Sequence, residues 1–230
     1  MLELGGSDAY IILEDADLDL AAEICANARL INNGQSCIAA KRFIVIDCVA
    51  EDFTQLLTAK IKAKKVGNPL EEGTNLGPMA NTQLREDLHQ QVQKSIAKGA
   101  ICLLGGEIPN GEGAFYPPTI LTNVTKGMPA FDEELFGPVF AIIAAESTEQ
   151  AVEMANDSDF GLGGAIFTKN EKLGESLARN EIQAGSVFVN QSVKSDTRLP
   201  FGGIKQSGYG RELGFYGLTE FMNIKTINIK

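Results

Sequence analysis

The chain has 230 residues, 44% hydrophobic and 22% charged, which supplies one substantial core and leaves no long polar tract that would stay disordered. A net charge of −10 opposes phosphate backbones, so nucleic acid is not an expected partner. No apolar run approaches the roughly 20 residues needed to span a bilayer, and the Met1-Leu2-Glu3-Leu4 start lacks the basic and apolar regions of a secretion signal, so no membrane partner and a cytoplasmic location are expected.

Along the chain the pattern alternates strand and helix. Tyr10–Leu13 is a short apolar run. The acidic stretch Asp15–Asp19 signals a helix over about Leu20–Ile31, with Ala21, Ile24, Ala28 and Ile31 on one stripe. Asn32-Asn33-Gly34 ends it, because Asn and Gly tolerate left-handed backbone. Phe43–Ile46 reads as a strand and Glu51–Lys65 as a helix with basic residues in its last turns. Thr82–Lys98 is a second long helix, and Ile101–Leu104 a strand. Val139–Ala144 and Thr148–Asn156 follow as strand and helix. Ala165–Thr168, Glu171–Arg179 and Ser186–Val189 then form a strand-helix-strand unit. This alternation predicts an α/β fold, a twisted and mostly parallel sheet with helices on both faces. Residues 1–210 read as one unit. Residues 211–230 read as a helix over Arg211–Phe221 and a terminal alternating strand over Asn223–Ile229, which either closes this sheet or adds to the sheet of another subunit.

The four cysteines show no CxxC spacing. Cys25, Cys48 and Cys102 read as small buried hydrophobes, the commonest fate of a free cysteine. Cys37 differs, since it lies in a glycine-containing polar turn, Asn33-Gly34-Gln35-Ser36-Cys37. Backbone N–H groups in such a turn favour a thiolate and can hold an oxyanion. His89 is the sole histidine and sits in a polar helical segment, so neither a zinc site nor a Cys–His dyad is expected, and no metal is assigned. Gly161-x-Gly163-Gly164 does not follow a strand and open a helix, so it is not read as a dinucleotide fingerprint.

Three runs in order, Leu2-Glu3-Leu4-Gly5-Gly6, the Cys37 turn and Glu133–Val139 (EELFGPV), resemble the C-terminal half of the NAD(P)-dependent aldehyde dehydrogenases. A fourth, Pro200-Phe201-Gly202-Gly203-Ile204-Lys205-x-Ser207-Gly208, extends the likeness, which runs from Leu2 to near Lys230. The resemblance implies that residues 1–210 form the family's catalytic domain, without the preceding cofactor-binding domain, and that residues 211–230 end in an oligomerisation strand. It implies Cys37 as the nucleophile that forms a thiohemiacetal and then a thioester. It gives Glu3 the part of general base for hydrolysis, with Leu4, Glu134 and Phe136 at the nicotinamide end of NAD or NADP. A small-molecule aldehyde substrate and a homo-oligomer follow from the same likeness.

Several stretches, among them Ala39-Ala40-Lys41-Arg42-Phe43-Ile44 and Ser195-Asp196-x-Arg198, look most like bacterial succinate-semialdehyde dehydrogenases. Better-known members of that activity carry an arginine six residues before the nucleophile, where this chain has Ile31. Ser192, Lys194, Ser195 and Arg198 are therefore the alternative partners of a distal carboxylate, with Ser195 and Arg198 taken as the candidates. Because the likeness covers half of the usual enzyme, the 230 residues alone are expected to lack full activity, and a non-enzymatic role as an oligomerising remnant or regulatory partner is the alternative.

Overall fold

The computed structural model describes all 230 residues. In chain order the elements are β1 (Leu2–Glu3), β2 (Ala9–Ile12), α1 (Leu18–Leu30), β3 (Arg42–Ile46), α2 (Asp47–Lys62), α3 (Thr82–Ala97), β4 (Ile101–Leu104), β5 (Thr119–Thr122), α4 (Pro129–Asp132), β6 (Val139–Ala145), α5 (Thr148–Asn156), β7 (Phe160–Gly161), β8 (Gly163–Phe167), α6 (Glu171–Asn180), β9 (Ser186–Val189), β10 (Ile204–Lys205), β11 (Gly208–Tyr209) and α7 (Gly214–Thr219).

Seven strands form the central sheet in the order β4-β5-β6-β3-β2-β8-β9. Every pair is parallel except β4–β5 at one edge. The two faces follow from strand periodicity. Tyr10 and Ile12 point to the face covered by α1 and α2, where Cys25, Phe53 and Leu57 pack. Ala9, Ile11 and Leu13 point to the other face, where Leu88 and Val92 of α3 and Ala151 of α5 pack. Helix starts use local oxygens: Asp17, Asn81, Ser147 and Asn170 each accept a backbone N–H from the first turn that follows.

Strands β6, β3, β2 and β8 are adjacent and parallel, so the segments leading into them arrive at the same edge of the sheet. Those segments are the Glu134 turn, the Cys37 turn and the Gly5-Gly6 stretch, with the Phe160 strand beside them. Topology therefore brings together three runs that lie far apart in sequence.

Several expectations are corrected. The buried stripe of α1 is Ala21, Ala22, Cys25, Ala26 and Arg29, while Ile24 and Ala28 are half-buried and Ile31 is exposed. Cys48 is exposed, because Asp47 opens α2 directly after β3 and turns the next residue outward. Cys102 lies on the sheet's edge strand and is only partly buried. Asn223–Ile229 forms no ladder within the chain, and its Ile224, Ile227 and Ile229 are exposed. The helix expected from Arg211 begins at Gly214.

Candidate functional site

Helix α1 ends in a turn whose backbone is unusual for side-chain-bearing residues: Asn32 and Asn33 sit at φ 47° and 58°, and Gly34 follows at φ 74°. Three left-handed residues in succession reverse the chain and set Gln35–Ala39 across the entrance to β3. Asn33 Nδ2 fixes the turn by donating to Gly77 O at 3.0 Å. Cys37 lies just beyond and is half-buried.

Two buried cations hold this turn. Lys41 is 1% exposed. Its ammonium donates to the carbonyls of Ser36 at 3.0 Å, Cys37 at 2.8 Å and Ala39 at 3.1 Å, and stands 3.4 Å from Glu134 Oε1. Glu134 Oε1 also accepts the Gly6 N–H at 3.1 Å. One ammonium and one carboxylate thus join all three sequence runs. Arg29 joins two of these runs from beneath: its guanidinium donates to Ala40 O at 2.8 Å, Gly34 O at 3.0 Å, Leu135 O at 2.8 Å and Gly137 O. Burial pulls Lys41 down to about 8 and Arg29 to about 9, with the charges of Asp8 and Glu134 pulling back. Sequence reasoning missed both residues. A signal existed for Arg29, which lies four residues after Cys25 on the buried stripe of α1.

The Cys37 thiol does not have the depressed pKa expected from its turn. Burial pushes it up, Lys41 pulls it down, Glu3 raises it, and the Ile38 N–H lowers it. The Cys37 N–H donates to no protein acceptor, so it is available to an incoming oxyanion.

Glu3 sits in a short ladder. It pairs with Gly208 across the β1–β11 ladder, and the Leu4 N–H donates to Ser207 O at 3.1 Å. The Pro200–Gly208 run is therefore a brace for the first motif. Ser207 Oγ also accepts the Gly161 N–H at 3.0 Å. The Glu3 side chain is exposed, and partial burial followed by the charge of Glu212 raises its carboxyl above the ordinary range.

Glu134 and Phe136 border a groove of about 350 Å³ against α3, together with Leu84, Gln91 and Lys94. The site fits the ribose end of a nicotinamide dinucleotide. Glu134 Oε1 is taken by Gly6 and Lys41, whereas Oε2 makes no hydrogen bond and lies where a Cβ on Gly5 would meet it at 2.6 Å. Gly5 has φ 120°, so both space and backbone exclude a side chain there. Leu4 is exposed beside this stretch.

Ser195 and Arg198 lie in the exposed loop after β9. The Arg198 guanidinium is paired with Asp196 at 2.7 and 2.9 Å, so its fork is already engaged. That pairing holds the Asp196 carboxyl well below the usual carboxylate range. His89 is used structurally, 3.2 Å from the Tyr116 hydroxyl.

The aldehyde dehydrogenase family model matches residues 1–227. The chain belongs to the aldehyde dehydrogenase family. The succinate semialdehyde dehydrogenase Sad of Escherichia coli, described as using NAD(P)+, is 51% identical over 227 residues, 99% of this chain and 49% of that protein. A probable NADP+ succinate-semialdehyde dehydrogenase of Synechocystis is 50% identical over the same share of this chain. The crystal structure of the Streptococcus pyogenes succinic semialdehyde dehydrogenase with NADP+ superposes with a TM-score of 0.95 at 44% identity, covering 99% of this chain and 50% of that one. The mostly parallel α/β sheet expected from the alternating pattern is observed, and it matches the aldehyde dehydrogenase structures, as the resemblance implied. The chain spans about half the length of the curated relatives it matches.

Proposed function

We propose that these residues form the catalytic part of an NAD(P)+-dependent oxidation of an aldehyde, with succinate semialdehyde as the substrate, and that Cys37 carries the acyl group. The observation that carries this reading is the Lys41–Glu134–Gly6 network, which sets a thiol, a ribose-binding carboxylate and the Glu3 segment around one edge of the sheet.

The Cys37 thiolate adds to the aldehyde carbon, and the resulting oxyanion falls to the free Cys37 N–H. Lys41 holds the Ser36 carbonyl, which shares a peptide plane with the Cys37 N–H, and so fixes the direction of that N–H. NAD+ or NADP+, when bound, would supply the hydride acceptor, and Glu134 and Phe136 would hold its nicotinamide end. Glu3 then takes a proton from the water that attacks the thioester, a task helped by a carboxyl raised above its ordinary value. Exposed Leu4, the residue after β1, would border the ring. Ser195 and Arg198 reach a distal carboxylate only once the Asp196 pair opens.

The 51% identity with the Escherichia coli succinate semialdehyde dehydrogenase supports the choice of substrate. The test uses a nitrophenyl ester of a short acid, which needs no cofactor. The 230 residues should release nitrophenol and acquire one acyl group at Cys37, Cys37→Ser should abolish both, and Glu3→Gln should accumulate the acylated chain. Nitrophenol release that survives Cys37→Ser, with no acyl group on Cys37 in the unsubstituted chain, would overturn the assignment. The alternative, a chain that only assembles with others, draws on the exposed Phe215, Tyr216, Phe221 and Ile229. It predicts no effect of Cys37→Ser on any measured property except thiol count.

A further inference from the structure

A second cavity, apart from the groove beside Glu134, holds about 430 Å³ between the end of α1, the segment after α2 and the loop after β9. Its apolar wall includes Ile31, Ile38 and Val193, and its polar lining includes Lys64, Asn75 and Ser192. Ile38 follows the nucleophile directly, so the cavity lies against the Cys37 turn.

The polar lining carries unspent donors. The Lys64 ammonium gives one hydrogen bond, to Asn27 Oδ1 at 3.0 Å, which leaves two of its three protons. Asn75 uses its oxygen on the Lys65 N–H at 2.8 Å, and its Nδ2 has no protein acceptor. The Ser192 hydroxyl makes no hydrogen bond within the protein. No carboxylate lines the cavity. The nearest on α1, Glu23, is turned away to Asn27 Nδ2 at 2.9 Å and Lys60 at 3.2 Å. One net positive charge, one amide donor and one hydroxyl thus face a space with an aliphatic wall. That combination complements a small aliphatic carboxylate. At the position six residues before Cys37, Ile31 supplies wall rather than charge, so the cation for such an anion comes from elsewhere in the fold.

We infer that this cavity is a carboxylate-binding site in which Lys64, Asn75 and Ser192 receive the anion and Ile31, Ile38 and Val193 receive the methylene chain. Its identification as the station for the acid end of substrate or product rests on the function proposed above; the site itself does not. Lys64 would then be a specificity-determining residue that acts before or after chemistry, since it touches the anion and not the reacting carbon.

The experiment is a binding titration of the 230-residue chain with succinate, followed by amide chemical shifts and calorimetry, with 1,4-butanediol as the uncharged probe of matching length. Saturable succinate binding is expected, with shifts centred on residues 27–38, 64, 75 and 192, and none with the diol. Lys64→Gln preserves a polar contact to Asn27 and should weaken succinate at least about 10-fold, the loss of one charge-assisted contact. Lys64→Arg should restore most of it, and Ser192→Ala should weaken it by a smaller factor. Absence of saturation, equal binding of the diol, or indifference to both Lys64→Gln and Ser192→Ala would each overturn the site. Cys37→Ser separates the two proposals: it should leave succinate binding unchanged while removing acyl transfer. Succinate binding without acylation at Cys37 would sink the proposed function and keep the cavity, and the reverse outcome would do the opposite.

Discussion

At the scale of single residues, the site is governed by charges taken out of water. Lys41 is the clearest case: three carbonyls and one carboxylate compensate an ammonium that burial would otherwise neutralise. Its charge lowers the Cys37 pKa against the upward push of burial. Lys41→Met should therefore slow iodoacetamide labelling of Cys37 several-fold at neutral pH and displace its pH profile upward, with exposed Cys48 as the internal reference. An unchanged Cys37 profile would show that the ammonium does not act on the thiol. In the unsubstituted chain Cys48 should label ahead of Cys37, reversing the order expected from the turn alone, because access and burial outweigh the turn's N–H groups. Asp8 gives a second prediction. It is 1% exposed, accepts the Gly163 N–H at 3.0 Å through Oδ1, and leaves Oδ2 without a partner. Burial raises it from 3.8 to about 6, against Lys41, the Gly163 N–H and Arg42. A raised carboxyl binds its proton more tightly in the folded chain, so its contribution to stability falls as pH rises from 3.8 to about 6 and stays low above that. The stability of Asp8→Asn relative to the unsubstituted chain should rise through that window, read by urea unfolding at several pH values. A difference independent of pH would mean that Asp8 keeps its charge throughout.

At the scale of elements, the turn after α1 is the part that tolerates least. A Cβ on Gly34 would run into the Gly137 carbonyl and meet Arg29 Nη2 at 2.8 Å, at a φ of 74° that already disfavours it. Gly34→Ala should cost about 2 kcal/mol or more and lower acyl transfer at Cys37, whereas Gly73→Ala, at φ 79° with open space around it, carries the backbone penalty alone. Equal losses at the two positions would show that the Gly34–Gly137 contact is not what constrains the turn. This turn was legible in the sequence because Asn-Asn-Gly names its own backbone. So were the parallel strands and long helices, whose hydrophobic periods are local. Strand β5 was not, since Thr119–Thr122 is short and follows two prolines. The pairing of Glu3 was not, because its partner Gly208 lies at the far end of the chain. Lys41 and Arg29 were missed for a related reason: a charge beside apolar residues reads as solvated surface until the topology shows which carbonyls surround it. The alternation over Asn223–Ile229 was read as a strand, but alternation specifies only a two-faced segment and leaves the ladder partner open.

At the scale of the whole molecule, the exposed apolar groups concentrate at the C-terminus: Phe221 is 89% exposed and Ile224 87%. A contiguous apolar segment with unpaired backbone favours association with another chain. Light scattering at tens of micromolar should give a dimer or larger species, and removal of residues 214–230 should return a monomer; a monomeric intact chain would refute this. Activity is the last expectation. The 230 residues hold a nucleophile, a candidate base and a ribose-sized groove, but hydride transfer demands that the nicotinamide be fixed about 3 to 3.5 Å from the reacting carbon, an arrangement worth roughly 7–11 kcal/mol. On the proposed reading Glu134 and Phe136 would hold only one end of a long cofactor, and the Cys37 N–H would be a single oxyanion donor, where loss of a second donor costs on the order of 100- to 1000-fold. By themselves these residues should hydrolyse a nitrophenyl ester slowly through Cys37 and should form almost no NADH or NADPH from succinate semialdehyde. The two assays run on one preparation, so a folded, thiol-active chain certifies itself. Brisk cofactor reduction beside the esterase signal would mean that the groove against α3 positions the nicotinamide unaided, and that Lys41 and Glu134 contribute far more to cofactor placement than one ribose contact.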